Sequence, residues 1–311
     1  TKGLCPSCYY IDRDSDEGLW KKRFKILKSI TDKYKNNESG YDCIIGVSGG
    51  KDSTRQALWV RDKLGLKPLL ACLSYPPQQV TTLGAENISN LINLGFDTVI
   101  SSPAPMTWKK LMKQAFFKYA NWAKSTELAL FSFVPQLAIR YKIPLILWGE
   151  NPGLQVGDMA SSSSKPYDGK NLKKLNTLAS GDLSWINKKE FKPVDLFPYT
   201  YPSSKDFNKS KIKILYLGWF FEDWSMLDNA QASILYGLKI RKKEFKNYGD
   251  LFRVSSTDED WVTFNQLIKY YKFGFGRATE YLNEEIRRNK ISRNEAAQII
   301  TNYDGKYSNK I

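Results

Sequence analysis

Histidine is absent from all 311 residues. Its absence removes Ser–His and Cys–His nucleophile pairs, and every histidine metal site, from the chemistry this chain can perform alone. Long apolar runs are also missing: no stretch approaches the roughly 20 residues that span a bilayer. No signal peptide is visible. Cysteine is scarce, at four, and without a secretion signal these thiols suggest a reducing cytoplasm. There is no Walker A loop either. That pattern needs Gly at position 45 and Ser or Thr at position 52, where the chain has Ile45 and Asp52. An initiating Met is lacking, and a start at Thr1 points to a piece missing upstream.

What is present is a strongly basic chain, with a formal net charge of +15. Such a charge suits anionic partners: nucleotides, carboxylated sugars or nucleic acid. The length allows one large domain or two, with an ample core.

One stretch organises the rest. Cys43-Ile44-Ile45-Gly46-Val47 is too short for a helix and reads as a buried strand. It runs into Ser48-Gly49-Gly50-Lys51-Asp52-Ser53-Thr54, and a helical pattern follows at once to Leu64, with Gly65 as stop signal. Gly49 and Gly50 let the backbone turn sharply beside a ligand. The amides of the loop and of the first helical turn then converge on an anion. Asp52 is out of place in an anion site unless a cation is shared, most simply Mg²⁺ held together with phosphates.

Further strands are expected at Lys67–Tyr75, Asp97–Ser101, Ile143–Leu147 and Lys211–Trp219. Helices are expected at Gly18–Lys35, Thr82–Leu94 and Met106–Arg140, the last broken near Pro135. The alternation implies an α/β fold: a parallel five-stranded sheet with helices on both faces. Its ligands should lie beyond the carboxyl ends of the strands. Gly153–Asp182 breaks the pattern with four consecutive serines, glycines and lysines, and reads as a mobile lid. Three regions result: 1–38, a Cys-x-x-Cys segment with a lead-in helix; 39–225, the nucleotide domain; and 226–311, a helical C-terminal region. In the last, Phe273-Gly274-Phe275-Gly276-Arg277 forms a glycine turn carrying a cation. Ser292 to Glu295 is a capping box. Cys5 and Cys8 supply half of a tetrahedral zinc site. Cys43 and Cys72 read as small core residues.

The Ser-Gly-Gly-x-Asp-Ser signature resembles that of the PP-loop ATP pyrophosphatases, whose fold is adenine nucleotide alpha hydrolase-like. Several pieces in order narrow the resemblance: Gly3-Leu4-Cys5-Pro6-Ser7-Cys8, the PP-loop itself, Trp148-Gly149-Glu150-Asn151-Pro152, Leu217 to Trp224 followed by Asn229, Lys272 to Glu280, and Ile286 to Gly305. Together they resemble the N-acetyl sugar amidotransferases of the WbpG/PseA type, from bacterial surface-polysaccharide and flagellar-sugar biosynthesis. The resemblance implies conversion of a sugar acetamido group to an acetamidino group with ATP, Mg²⁺ and ammonia. It implies a separate glutaminase subunit, similar to that of imidazole glycerol phosphate synthase, and a cyclase-like subunit beside it. A chain without His cannot form a Cys–His glutaminase site, which agrees. Family members carry an earlier Cys-x-x-Cys that this sequence lacks.

On this resemblance Ser48, Gly49, Gly50, Lys51, Asp52, Ser53, Thr54 and Gly149 hold ATP. Asp52 and Glu150 hold Mg²⁺, and Cys5 and Cys8 a structural Zn²⁺. Lys51, Asp52 and Arg277 act on the reacting groups. Glu150, Asn151, Trp219, Asn229, Lys272 and Arg277 bind an acetamido sugar or nucleotide sugar. Nucleic acid is not expected as a partner. The competing assignment is a PP-loop tRNA-modifying enzyme, thiolating or lysidine-type. A thiolating enzyme needs a sulfur-carrying Cys or an iron–sulfur cluster, and the loop after the fourth strand offers no Cys. A silent nucleotide-binding subunit is a third reading, opposed by the intact loop.

Overall fold

A computed structural model describes residues 7–8, 17–155, 157–161, 163, 165–243 and 249–306. Five strands form one parallel sheet: β1 (Cys43–Gly46), β2 (Pro68–Leu73), β3 (Thr98–Ser101), β4 (Leu145–Trp148) and β5 (Lys213–Tyr216), in the order β3-β2-β1-β4-β5. Successive strand residues face opposite sides of a sheet. Cys43, Ile45 and Val47 therefore join one core with Leu70, Cys72, Leu145, Leu147 and Leu215. Ile44, Leu69, Ala71, Ile146 and Ile214 join the other. Both faces are covered, which is why the strands read as unbroken apolar runs.

The first core is roofed by α1 (Glu17–Thr31), α2 (Lys51–Leu64) and α3 (Thr82–Asn93). The second lies under α4 (Pro105–Tyr119) and α5 (Ala123–Arg140). The expected break at Pro135 falls elsewhere. Pro135 lies inside α5, and α4 ends at Ala120, which takes the left-handed φ of 46° usual for a helix stop. The second half of the expected region is thus α5, which carries its proline buried.

Between β4 and β5 come the short helices α6 (Pro152–Gln155), α7 (Pro193–Leu196) and α8 (Ser204–Lys209). The expectation of a mobile lid over 153–182 does not describe its second half, which is packed. Tyr167 accepts the Tyr216 N–H at 2.9 Å, and Asp168 forms an ion pair with Lys213 at 2.5 Å along the β5 edge. Leu172 and Leu178 are fully buried. The physical reason is the apolar spacing within 165–178, hidden among its serines, glycines and lysines.

Beyond β5 lie α9 (Met226–Ile234), α10 (Trp261–Phe273), α11 (Arg277–Arg287) and α12 (Arg293–Ile300). Gly274 ends α10 at φ 75°, as the glycine turn requires. Ser292 Oγ accepts the Glu295 N–H at 3.2 Å while Glu295 Oε2 accepts the Ser292 N–H at 2.9 Å, the capping box read from sequence. Among the described residues no helix is long and apolar enough to cross a membrane.

Candidate active site

The strand order reverses direction at β1, which has β2 on one side and β4 on the other. Ligands of open parallel sheets sit outside the carboxyl ends of the strands at such a switch point. Here Ile44 pairs with Ile146 and Ile45 with Leu147. The loop after β1 and the loop after β4 are therefore neighbours. A cavity of about 1380 Å³ opens above them.

Gly49 turns the loop at φ 79°. A Cβ there would also meet the Ile88 nitrogen at 2.8 Å, so glycine is required twice over. Gly50 caps α2, and Lys51, Asp52 and Ser53 form its first turn. Ser48, Gly50, Lys51, Asp52 and Ser53 line the cavity, and first-turn amides have no acceptor inside their own helix. Gly49 and Thr54 do not line it. Thr54 is fully buried and its Oγ1 donates to the Gly49 carbonyl at 3.4 Å, so it holds the turn from behind. The Ser53 hydroxyl likewise donates to the Gly50 carbonyl, at 3.1 Å.

Lys51 is buried, and its ammonium contacts Asp52 Oδ2 at 2.8 Å. Burial works against this charge, but Asp52 and Tyr281 outweigh it and hold the pKa above the usual lysine value. Asp52 Oδ1 accepts from Asn229 Nδ2 at 2.7 Å, and Asn229 Oδ1 accepts from Arg55 at 2.8 Å. Glu150 borders the cavity beside this group. It keeps contact with water there, yet protein crowds it. That crowding, then the Asp52 charge, raises its carboxyl above the usual glutamate range, against the pull of its backbone amide and Lys51. Gly149 is needed for close packing: a Cβ would come within 2.8 Å of Gln56 Oε1 and 3.0 Å of the Trp224 ring.

Two convergent carboxylates fit Mg²⁺, which is held by one or two protein carboxylates plus phosphate oxygens and water. Among the described residues no group of three or more Cys, Asp or Glu stands ready to hold a metal by itself. A cation held by Asp52 and Glu150 would need the phosphates to complete its shell. For zinc, Cys5 lies outside the described residues, while Ser7, next to Cys8, is buried and lines the cavity.

Arg277 lines the cavity, pairs with Glu280 at 3.1 Å and lies over the Tyr281 ring at 5.7 Å. Asn229 also borders it. Three of the residues expected to bind the sugar do not. Lys272 donates to the Tyr119 carbonyl at 2.8 Å on the outer surface. Trp219 is sandwiched between the Arg23 guanidinium, 4.1 Å from its centroid, and Tyr167 at 4.9 Å. Asn151 is buried, donating to the Pro166 carbonyl at 2.9 Å and accepting the Leu154 N–H at 3.2 Å, so it fixes the turn.

Sequence reading missed much of the opposite wall. Tyr281, Glu284 and Arg287 follow Arg277 on one face of α11 and border the cavity. Their spacing of four, three and three was a usable signal. Glu284 accepts the Met226 N–H at 3.1 Å, and burial raises its carboxyl. Thr257, Asp258 and Glu259 close another side, and Tyr75 and Glu127 a further one. No local pattern marked these.

Residues 242–311 match the family model described as LPS biosynthesis protein WbpG-like, C-terminal domain. No curated protein matches the chain. Two solved structures are similar over most of it. The U34-tRNA thiolase NcsA from Methanococcus maripaludis with its [4Fe-4S] cluster is 11% identical, covering 91% of this chain and 79% of that one, with a TM-score of 0.40. NMN synthetase from Francisella tularensis is 14% identical, covering 91% and 96%, with a TM-score of 0.37. The cavity wall built by Thr257–Glu259 and α11 lies within the matched segment, and the match agrees with the resemblance drawn from the ordered motifs.

Proposed function

We propose that this chain uses ATP to activate the carbonyl oxygen of an acetamido sugar and replaces that oxygen with nitrogen. One observation carries the reading: a single cavity joins the Ser-Gly-Gly-Lys-Asp-Ser loop to the α11 face of the WbpG-like domain. Its volume, about 1380 Å³, exceeds the roughly 300–1,000 Å³ of a typical single-ligand pocket and suits two substrates.

An amide carbonyl is a poor electrophile, because nitrogen donation stabilises it. The acetamido oxygen attacks the α-phosphorus of ATP, the bond to the β-phosphate oxygen breaks, and pyrophosphate leaves. Ammonia then adds to the carbon of the O-adenylylated imidate. The C–O bond breaks, AMP departs with the sugar's oxygen, and an acetamidinium remains. The chain's contribution is to position reactants and neutralise charge. The loop amides and Lys51 take the phosphates. Asp52 and Glu150 would hold Mg²⁺, which supplies further charge neutralisation. Arg277 faces the charge that develops on the acceptor side. Ammonia comes from a glutaminase subunit resembling that of imidazole glycerol phosphate synthase, with a cyclase-like partner. The setting is cytoplasmic synthesis of surface-polysaccharide or flagellar sugars, including pseudaminic and legionaminic acid types.

The test supplies ATP, Mg²⁺, ammonium and a panel of free and nucleotide-linked acetamido sugars. Acceptor-dependent AMP, with one oxygen of the sugar replaced by NH in its mass, supports the reading. AMP formation indifferent to every sugar contradicts it. Asp52→Ala should abolish AMP formation while the circular dichroism spectrum stays that of the wild type.

A further inference from the structure

Among the described residues the outer side of α4 is uncovered. Thr107, Trp108, Leu111, Met112 and Ala115 point into the core. Met106, Lys109, Lys110, Lys113, Phe116 and Phe117 recur at the complementary helical spacing, and all are exposed. Met106 is 67% exposed and Phe117 76%. The Lys113 ammonium lies 6.0 Å from the Phe117 ring. The end of the helix is fixed to α10: Phe116 packs on Trp122 at 6.0 Å, and Trp122 stacks on Phe264 at 5.0 Å. There Lys272 donates to the Tyr119 carbonyl at 2.8 Å, and its ammonium lies 5.1 Å from the ring of Phe273, which is 60% exposed.

The charge of this face has one sign. No acidic residue stands between Asp97 and Glu127, and none between Asp260 and Glu280. Each cation on the face is a lysine, not an arginine. Protein interfaces favour Arg and are depleted in Lys. Nucleic-acid sites also favour Arg, whose planar fork fits phosphate. A second copy of this chain is a poor occupant, because it brings the same net charge of +15. Bulky apolar side chains standing among lysines, with no carboxylate, complement an anionic lipid surface. The phenyl rings and the Met106 thioether enter the boundary between headgroups and acyl chains, and the lysine stems let the ammonium groups reach back to the phosphates. From Met106 to Phe117 the stripe runs about 16 Å along the helix, so both ends of α4 can enter one surface.

We propose that the outer face of α4, with Phe273 beside its end, docks this protein on an anionic phospholipid bilayer. The contact is peripheral, with α4 lying in the plane of the surface. Phe275, two residues after Phe273, borders the cavity, so the docked protein holds its cavity close to the lipid headgroups.

The experiment sediments the full chain with vesicles of phosphatidylcholine alone, and with vesicles in which phosphatidylglycerol replaces part of it. The protein should bind the mixed vesicles and not the neutral ones, and high salt should release it. Lys109→Gln, Lys110→Gln and Lys113→Gln combined should weaken binding about tenfold or more, since each lysine near such a surface adds its own attraction. Met106→Ala with Phe117→Ala should weaken it about fivefold or more, through lost apolar burial. The control removes as many exposed lysines from α1, by Lys21→Gln, Lys22→Gln and Lys25→Gln, and should keep most of the binding. Wild-type protein that ignores the mixed vesicles overturns the proposal. So does equal binding to neutral vesicles. An equal loss in the α1 control also overturns it, because net charge alone would then explain the binding. Polyuridylate bound in preference to vesicles, and lost in the α4 lysine variant, makes the face a nucleic-acid site and overturns it too.

Discussion

Asn229 stands between two charges. It donates to Asp52 and accepts from Arg55, and it is fully buried. Removing its side chain leaves both partners without a neutral bridge. Asn229→Ala is therefore expected to cost about 1–3 kcal/mol of stability, the range for unsatisfied buried groups. It should lower the rate of AMP formation more than it changes the KM for ATP, because Asp52 loses its orientation. Chemical denaturation and initial rates check the two parts. Sequence reading picked Asn229 as a sugar-binding group, and the residue matters, but its partners lie 177 positions away from it in Asp52 and 174 in Arg55. Such pairing is not encoded in any local pattern. Asn151, expected to bind the sugar, instead makes the contacts of a turn cap.

Glu259 makes a second prediction at this scale. Burial raises its carboxyl to about 7. A raised folded-state value means that the folded protein holds the proton longer than the unfolded chain. The stabilisation is thus complete below the unfolded glutamate pKa, near 4.3, and is lost as pH climbs through about 7. Thermal stability should fall over that window, and Glu259→Gln, which cannot titrate, should show a shallower fall. A parallel pH profile in the variant would show that other groups dominate.

Among the elements, α11 depends most on a single distant residue. Asp304 accepts the N–H groups of Gly276 at 2.8 Å, Ala278 at 3.0 Å and Thr279 at 3.1 Å, and the Thr279 hydroxyl at 2.5 Å. It replaces the absent side-chain cap, since Gly276 at the N-cap position has none to offer. A carboxylate at a helix N-terminus also complements the helix dipole. Asp304→Ala should loosen the first turn of α11 and with it Arg277 and Tyr281. The expected loss is about 1–2 kcal/mol, as for a strong N-cap. Amide exchange at 276–279 should accelerate while exchange in β1 and β4 stays slow.

Strands and most helices were legible because their signals are local: short apolar runs, glycine stops and a capping box. The α4–α5 boundary was not, because Ala120 carries no punctuation and Pro135 gives a misleading one. Pro lacks one N–H and crowds the preceding turn. Here the flanking apolar positions of α5, from Leu128 to Ala138, are held against the sheet, and tertiary packing overrides the local preference.

For the whole molecule, the parallel sheet and its switch point set where chemistry can occur; the sheet followed from the alternation of strands and helices, and the switch point only from the strand order. The near wall of the cavity, Ser48 and Gly50 to Ser53 with Gly149 and Glu150, was readable because it sits directly at strand ends. The far wall was not. It is assembled from Glu127, Thr257–Glu259 and the α11 face, segments far apart in the chain that only folding brings opposite the loop. The region after 226 does not stand apart from the nucleotide domain: Ser233 Oγ on α9 donates to the Lys51 carbonyl at 2.6 Å, fastening it to the start of α2.

The central claim is that the acceptor's own carbonyl oxygen leaves with AMP. An acetamido sugar labelled with ¹⁸O in that carbonyl tests it directly, with the AMP, pyrophosphate and sugar products weighed by mass spectrometry. The account predicts the label in AMP and an unlabelled acetamidino sugar. Label retained in the sugar, or found in pyrophosphate, would contradict it.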